Sequence, residues 1–309
     1  MRTTPTRIIA AVAALGLATG LSACTNANDL TTGSAKAKTQ GYDVSSITKQ
    51  EEIAALLPAG ALGSDGALDI GAATDYAPAE FLDANGKPIG YDADLTQALG
   101  KVLGVDATMH SASFDSIIAK VGTEYDAGIS SFSITNERMQ NVDMIQYVQV
   151  GSQFNVAKGN PKGIDVSDHL NLCGRIVGVQ TGTAQADAIE ADSQACTAAG
   201  QNAIDVRSYD KQAEATAALA GSTLDATYSD STVAGYAVET TDGAVETLGE
   251  VEDAAPQGVV LQKNSQIHIA IQAALQYLMD NGILTDILES WGVEDAALSN
   301  ATLNPAVSE

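Results

Sequence analysis

Hydrophobic and polar positions along the chain alternate between strand-like and helix-like spacing. Leu68–Ile70 is a short apolar run typical of a buried strand, and Leu95–Leu103 places its Leu, Ala and Val residues on one helix face. Asp106–His110 predicts a second strand, the apolar stripe of Phe114–Val121 a second helix, and Tyr125–Ile129 a third strand. This order is a βαβαβ unit, which predicts a largely parallel sheet covered by helices.

A second α/β pattern begins at Arg175, so the chain divides into two lobes. Its predicted strands are Arg175–Val179, Ile204–Val206, Ala226–Tyr228 and Gly258–Leu261, and its predicted helices are Gln212–Ala220, Ile267–Leu278 and Ile283–Trp291. Ligands of such sheets bind beyond the carboxyl ends of the strands.

The charge of the chain restricts its partners. It has 309 residues and a formal net charge of −24, from 39 acidic and 15 basic residues. Nucleic acid binding needs a basic face, so this class is disfavoured. After the N-terminus no hydrophobic run approaches the ~20 residues of a membrane span, so we expect a soluble body. Its ~250 residues suit one large or two small domains.

The N-terminus has the features of an export signal. Arg2 and Arg7 precede an apolar run over Ile8–Thr19, and Leu21–Cys24 (Leu-Ser-Ala-Cys) follows. This tetrapeptide resembles the lipobox of bacterial lipoproteins, which implies cleavage after residue 23 and a lipid on Cys24. The alternative is an ordinary signal peptide that leaves a free cysteine. Residues 24–45 are rich in Thr, Ser, Ala, Asn and Gly, which predicts a flexible tether.

Two further cysteines remain, Cys173 and Cys196. An exported chain folds in an oxidising compartment, so we expect them to form a disulfide. Closing a loop of that length contributes roughly 3 kcal/mol in the loop-entropy model. The three histidines are scattered and no Cys/His spacing suits zinc, so we expect no metal and no cofactor.

The segment Gly128–Arg138 carries the most informative polar chemistry. The predicted strand over Tyr125–Ile129 is followed by serines and exposed backbone N–H groups, and Arg138 follows within two helical turns. Such donors can hold a carboxylate, and a guanidinium can do so through two parallel hydrogen bonds. The serines could instead cap a helix, and Arg138 could be a solvated surface residue.

Other strand ends carry polar or aromatic residues: Tyr76, Thr183 and Asp230. Thr183 and Asp230 could simply be helix N-caps, and Tyr76 and Phe114 could be core or rim aromatics. Their shared position favours a function. Anion donors from one lobe and a carboxylate from the other fit an α-ammonium, α-carboxylate zwitterion.

From residue 66 to residue 300 the chain resembles the extracellular solute-binding proteins of family 3, the polar amino acid receptors of ABC importers. No single stretch is decisive, but the order and spacing of several are specific. The matching stretches are Tyr76–Phe81, Asp83–Leu95, Phe114–Ile118, Tyr125–Ser131, Thr135–Arg138, Val142–Asp143, Val177–Thr183, Asp280–Leu284 and Trp291–Gly292.

The resemblance implies an α/β fold, the two-lobed type II periplasmic binding protein. Each lobe is then a mostly parallel sheet flanked by helices, and two hinge crossovers lie near residues 155–160 and 254–258. We expect a signal peptide over 1–23, a tether over 24–45, and lobe one over 46–157 and 256–300. Lobe two then covers 158–255, and 301–309 form a C-terminal tail.

The resemblance also implies a role for each candidate residue. The α-carboxylate site is matched by Ser131, Ser133 and Arg138, and Thr183 adds a donor from lobe two. Asp230 matches the carboxylate that takes the α-ammonium group. The aromatic pair that holds the ligand side chain is matched by Tyr76 and Phe114.

Departures from the family pattern concern specificity. Ala73 stands where many members carry an aspartate that pairs with a cationic side chain, which argues against a lysine or arginine receptor. Asp75 could substitute if the loop is shifted. Ala79 and Ala184 replace a usual aromatic and a frequent threonine, which predicts a roomier and less polar pocket.

Three classes of function follow. The first is a monomeric receptor that closes on a polar amino acid and docks on a permease, with an ATPase subunit supplying energy and the lipid holding it to the outer face of the cytoplasmic membrane. The second is an enzyme, since dehydratases share this fold; among loop acids only Glu80 and Asp75 are candidates, and no catalytic motif is present. The third is a ligand-sensing surface lipoprotein, which the sequence does not separate from the first.

Overall fold

The computed structural model of the chain describes residues 41–63 and 65–307. The predicted signal peptide, Cys24 and most of the predicted tether lie outside the described residues. At the end of that tether, the N–H of Tyr42 donates to Asp94 Oδ2 at 2.9 Å, and Val44–Ser46 form a 3-10 turn. The described end of the predicted tether therefore contacts the folded body at Asp94.

Eleven strands form two sheets in the described part of the chain. The large sheet has eight strands in the order β5-β1-β6-β11-β7-β10-β8-β9, and a small one has the order β2-β3-β4. The strands are β1 (Leu68–Ala72), β2 (Asp75–Tyr76), β3 (Glu80–Leu82), β4 (Pro88–Ile89), β5 (Ala107–Ser111), β6 (Ala127–Gly128), β7 (Val142–Ala157), β8 (Ile176–Gln180), β9 (Asp205–Tyr209), β10 (Ala226–Asp230) and β11 (Val245–Gln262).

Helices cover the large sheet. They are α1 (Glu51–Ala54), α2 (Tyr91–Leu103), α3 (Phe114–Lys120), α4 (Arg138–Asn141), α5 (Ala184–Ala198), α6 (Gln212–Ala220), α7 (Ser231–Thr240), α8 (His268–Asp280) and α9 (Ile283–Ser290), with further 3-10 turns at His169–Leu172 and Glu294–Ala296. None of the helices that the structure describes combines the length and hydropathy of a membrane span.

Helix α2 shows how the sequence pattern becomes packing. Its apolar stripe, Leu95, Leu99 and Val102, is at most 1% exposed. Each such side chain contributes roughly 1.5–3 kcal/mol through burial. The helix ends at Gly104, whose φ of 71° lets its N–H bond back to Gly100 and Lys101.

The large sheet consists of two parallel sheets joined by an antiparallel pair. β1 lies parallel to β5 and β6, and β8 lies parallel to β9 and β10. The long strands β7 and β11 pair antiparallel between them, β11 next to β6 and β7 next to β10. The two-lobed, mostly parallel α/β architecture is confirmed. The sequence pattern predicted only the last part of β11 and missed β7.

Each lobe has its own core, and β7 contributes to both. Its residues Ile145–Val150 pack in the core with β1 and α2, which we call lobe one. Phe154 and Val156 pack in the core around β8 and α5, which we call lobe two. The strand therefore changes from one core to the other between Val150 and Phe154, and the crossover at 155–160 stays a prediction.

Gly151 of β7 lies close to the backbone and side chains of β11. A Cβ atom there would stand 2.3 Å from Val251 Cγ1 and 2.6 Å from the carbonyl oxygen of Glu252. The pairing of β11 with β7 shifts register between Leu248 and Glu252 and again before Ala255. The crossover at 254–258 stays a prediction.

Two covalent or terminal features complete the fold. Cys173 and Cys196 form a disulfide with Cα atoms 5.6 Å apart, which ties the turn before β8 to α5. The first residues of the predicted C-terminal tail pack on lobe one: Ala301 is 4% exposed, and Asn304 Nδ2 donates to Asp143 Oδ1 at 2.8 Å.

Candidate ligand-binding site

The seven predicted ligand-binding residues lie at strand ends, at helix starts or in the loop after β6. Lobe one contributes Tyr76, Phe114, Ser131, Ser133 and Arg138, and lobe two contributes Thr183 and Asp230. Two hydrogen bonds cross between the lobes here. Arg138 Nη2 donates to the carbonyl oxygen of Gly182 at 3.0 Å, and the N–H of Asp230 donates to Tyr76 Oη at 3.2 Å. The structure therefore shows the lobes closed.

Arg138 begins helix α4 and is partly buried. Its Nη1 donates to the carbonyl oxygen of Ser133 at 2.7 Å, so these two bonds occupy two of its five N–H donors. No ion pair within the described residues involves it. Burial lowers the pKa of the guanidinium from its ordinary value, and the negative charges of Asp187 and Asp230 oppose this. The guanidinium therefore lacks a carboxylate partner.

Aromatic rings surround this guanidinium. Its Cζ lies 5.9 Å from the ring centre of Phe114 and 5.8 Å from that of Phe132. The two rings stack with their centres 4.7 Å apart. The predicted role of Phe114 did not include this stacking, and Phe132 was missed. Their faces fix the orientation of the guanidinium by cation–π attraction.

The two predicted serines differ in their surroundings. Ser133 is partly buried and forms a bridge with Gln257 of β11, so its segment touches the hinge. Ser131 is 4% exposed and has φ 48°, a left-handed conformation that costs free energy in a non-glycine residue. Its N–H donates to Asp92 Oδ2 at 2.9 Å, and its Oγ lies 3.2 Å from Tyr91 Oη. These contacts hold the conformation.

Two buried acids form hydrogen bonds with the segment that contains Ser130 and Ser131. Glu80 and Asp92 are both fully buried. Burial and the neighbouring Asp92 raise the pKa of Glu80 well above its usual range. Burial raises the pKa of Asp92 to about 6, while Tyr147 Oη and the N–H of Ser131 donate to it and favour its charge. Glu80 also accepts from the Ser130 hydroxyl.

Thr183 acts as a helix cap. Its Oγ accepts from the N–H of Ala186 at 3.1 Å and donates to the carbonyl oxygen of Gln180 at 2.8 Å. The side chain thus shapes the turn before α5, and Gly182 presents the carbonyl that Arg138 contacts. In the closed structure the Thr183 hydroxyl is therefore a helix cap, which was the alternative to a ligand contact. Its role as a ligand donor stays a prediction.

Asp230 is a buried carboxylate at the end of β10, 3% exposed. It occupies the N-cap position of α7, but its side chain makes no cap hydrogen bond. Its Oδ1 accepts from Gln185 Nε2 at 2.8 Å and its Oδ2 from Gln257 Nε2 at 2.7 Å. Burial raises its pKa to about 6, while the two amides, Tyr76 and Arg138 favour its charge. It has no ion-pair partner among the described residues.

The sequence analysis did not predict Gln185 and Gln257, whose amides donate to Asp230. Gln185 lies in the first turn of α5, where it also donates to Ser152 Oγ at 2.8 Å. Gln257 is fully buried in β11. Gln185 follows the predicted Thr183 by two residues, which offered a local signal. Only long-range packing brings Gln257 to the site.

A separate cavity of about 730 Å³ lies beside the hinge. Its walls come from β7, α7 and the turn after α9, and it contains none of the seven predicted residues. The two groups of opposite charge that face the cleft, Arg138 and Asp230, therefore belong to a different place. Together they can bind one carboxylate and one ammonium group.

The family model of the bacterial extracellular solute-binding proteins, family 3, matches residues 68–294. The chain belongs to this family. These are solute-binding receptors that act outside the cytoplasm, and the match spans both lobes and the hinge.

Three relatives in this family illustrate the likeness. The arginine-binding protein ArgT of Corynebacterium glutamicum is 35% identical over 256 residues, which cover 82% of this chain and 83% of ArgT. A solved ancestral arginine-binding protein bound to arginine is 31% identical with a TM-score of 0.67, covering 74% of this chain and 98% of that one. The ancestral amino acid-binding protein AncCDT-1, a precursor of cyclohexadienyl dehydratase, is 28% identical with a TM-score of 0.65, covering 73% and 95%.

Proposed function

We propose that this chain is the substrate-binding receptor of an ABC importer, which captures a polar amino acid between its lobes. One observation carries the proposal. Arg138 from lobe one and Asp230 from lobe two face the same cleft, and each lacks an ion-pair partner among the described residues. An α-amino acid supplies the missing carboxylate and ammonium.

The two charges also explain how binding closes the lobes. A ligand shifts a conformational equilibrium only through contacts that differ between the two states. The carboxylate binds lobe one at Arg138 and the ammonium binds lobe two at Asp230, so both contacts are complete only when the lobes are closed. The bonds from Arg138 to Gly182 and from Asp230 to Tyr76 add to that preference.

The relatives support this class of ligand. Two of the three named above are arginine-binding proteins, and the third is an amino acid-binding protein. A receptor of this kind delivers its ligand to a membrane permease that an ATPase subunit drives. We propose that the chain acts as a monomer.

We also propose that lipid on Cys24 anchors the protein to the outer face of the cytoplasmic membrane. The Leu-Ser-Ala-Cys sequence at residues 21–24 supports this. Expression with labelled palmitate should label the wild-type chain, and Cys24→Ser should remove the label and release the protein from the membrane fraction. Labelling that survives the substitution would contradict the anchor.

We assign no catalytic step to the site. The precursor relation of AncCDT-1 to a dehydratase concerns that protein, and a general acid must reach the substrate. Glu80, one of the two loop acids considered above, is fully buried and engaged with Ser130 and Asp92. It supports the loop that carries Ser131.

Calorimetric titration of the purified protein with each common amino acid tests the receptor function. We expect one or a few to bind, and Arg138→Ala to abolish that binding, because the α-carboxylate loses its charged partner. The matched control is Arg207→Ala, since Arg207 is exposed and contacts Asp205 of the same strand. Failure of every amino acid to bind the wild type, or normal binding by Arg138→Ala, would refute the proposal.

A further inference from the structure

Helix α7 (Ser231–Thr240) is attached to lobe two by two contacts. Asn155 Nδ2, in the part of β7 that pairs with β10, donates to the carbonyl oxygen of Ala234 at 3.0 Å. Ala237 is buried in one hydrophobic cluster with Leu219 of α6. The helix also follows β10 directly in the chain, so we expect it to move with lobe two when the cleft opens.

Two other side chains of α7 pack on lobe one. Val233 is 4% exposed and lies in the hydrophobic core that contains β1 and α2. Tyr236 packs against the same core, and its ring centre lies 5.9 Å from that of Phe81 in β3. Trp291 meets the other contact of Phe81 edge-on at 5.8 Å. None of these four residues is among the seven predicted ligand-binding residues, so they join the lobes by contacts of their own.

Helix α6 extends this interface between the lobes. Strand β2 of lobe one packs against α6 of lobe two, and Gln212 in the first turn of α6 is buried. A cavity of about 30 Å³ remains where Asp75 and Ala77 of lobe one face Val233 and Tyr236. The two lobes therefore pack closely here in the closed structure.

Burial in this interface has a cost as well as a gain. The apolar contacts of Val233 and of the Tyr236 ring favour closure. Asp75 Oδ2, Gln212 Oε1 and Tyr236 Oη, however, are buried without a hydrogen-bond partner among the described residues. Such atoms cost free energy when buried, whereas water can satisfy them when the lobes separate. The gain and the cost oppose each other, so a change of one side chain shifts the balance between open and closed lobes.

The interface and the proposed ammonium site belong to the same helix. Asp230 occupies the N-cap position of α7, and Val233 follows it by less than one helical turn. The movement that brings Asp230 to a ligand held on lobe one therefore also brings Val233 into the core of lobe one.

We propose that Val233 and Tyr236 are positioning residues of the receptor, which seat α7 on lobe one and so hold Asp230 where it receives the α-ammonium group. This rests on the proposed amino acid receptor function. The apparent affinity of a ligand falls in proportion to the fraction of protein in the binding-competent form. The two residues therefore set the affinity for every ligand by a common factor, without touching any of them.

Calorimetry with the two common amino acids that bind the wild type most tightly tests this proposal. Val233→Ala should weaken the binding of both about tenfold, because two methyl groups leave the interface. The ratio of the two affinities should stay within about twofold of the wild-type ratio. Small-angle X-ray scattering should show the same radius of gyration for both proteins at saturation, reached at a higher ligand concentration in the variant.

Two substitutions of Tyr236 separate its ring from its hydroxyl. Tyr236→Ala removes the contact with Phe81 and should weaken both ligands at least about tenfold. Tyr236→Phe keeps the ring and removes only the unpartnered hydroxyl, so both affinities should equal or exceed those of the wild type.

The matched control is Val102→Ala, which makes the same substitution at a buried position of α2 inside lobe one. It should lower the Tm of the protein, because it removes the same methyl groups from a core. It should change both affinities by less than about threefold, since it alters no contact between the lobes.

The other outcomes overturn the proposal in distinguishable ways. Unchanged affinity in Val233→Ala, or a loss that differs more than threefold between the two amino acids, overturns the positioning role while the receptor function stands. Equal losses in Tyr236→Phe and Tyr236→Ala overturn the assignment of the Tyr236 ring. Absence of binding to the wild type for every amino acid overturns the receptor function and this inference with it.

Discussion

Replacing Asp230 by Asn should stabilise the ligand-free protein and weaken ligand binding. Burial raises the folded-state pKa of this carboxyl from 3.8 to about 6. At about 1.4 kcal/mol per pKa unit, the ionised group opposes folding by about 3 kcal/mol. The sign follows from linkage: the folded state holds the proton more tightly, so the penalty is absent below about pH 4 and fully present above about pH 6.

An asparagine removes that charge and keeps the shape. The amide of Gln257 can turn so that its own Oε1, which is buried without a partner in the described residues, accepts from the new amide. After a loss of about 1 kcal/mol for imperfect hydrogen bonds, we expect a net gain of about 1–2 kcal/mol and a Tm rise of roughly 2–8 °C. Ligand affinity should fall by about 2–5 kcal/mol, because the α-ammonium loses its charged partner.

Thermal denaturation at pH 7.5 and pH 4.5, with and without ligand, measures both effects. The Tm advantage of Asp230→Asn should be present at pH 7.5 and shrink at pH 4.5, where the wild-type carboxyl is largely protonated. Asp225→Asn is the matched control with the opposite sign. Although burial opposes its charge, Lys162 and the N–H of Ile176 lower the pKa of Asp225, so that variant should lose stability. A destabilised Asp230→Asn that binds ligand with unchanged affinity would refute the reasoning.

Three further substitutions give distinct outcomes. Gly182→Ala should weaken ligand binding about tenfold in calorimetry. The backbone φ of Gly182 is 79°, and an added Cβ would stand 3.0 Å from the side chain of Asp115 in α3, so the substitution opposes closure of the lobes. Unchanged affinity would contradict this. His169 donates to Asp192 and Glu252, and these bonds outweigh burial and raise its pKa. His169→Gln should therefore lower the Tm below about pH 6.5, and this difference should vanish as the pH rises through the folded-state pKa of His169. A Tm difference that does not depend on pH would exclude a stabilising contact between protonated His169 and these two acids. Cys173→Ser should lose about 3 kcal/mol of unfolding free energy in a denaturant titration, and an unchanged midpoint would show that the disulfide adds no stability.

The regular elements of the fold were predictable because local patterns encode them. Helix α6 has the bounds that its alanine-rich run predicted, and the stripe from Leu95 to Leu103 lies within α2. The hinge strands were not predictable in the same way. Residues 250–256 of β11 are acidic, contain a proline and are mostly exposed, and pairing with β7 rather than burial holds them extended.

The candidate site likewise contains residues that the sequence could predict and residues that it could not. Arg138 and Asp230 could be proposed from their positions at strand ends and from the family resemblance. Gln257, a partner of Asp230, could not, because that residue lies on β11, a different strand that is distant from Asp230 in the sequence. The unpartnered oxygen of Asp75 exists only in the folded state, where burial removes its water. A sequence shows which groups carry charge, while only packing shows which of them remain unpaired.

A crystal structure of the protein with the amino acid that binds it best tests the central claim most directly. The account predicts the α-carboxylate within hydrogen-bonding distance of the Arg138 guanidinium and the α-ammonium on the carboxylate of Asp230. A ligand bound elsewhere, for example in the cavity of about 730 Å³ beside the hinge, would contradict it.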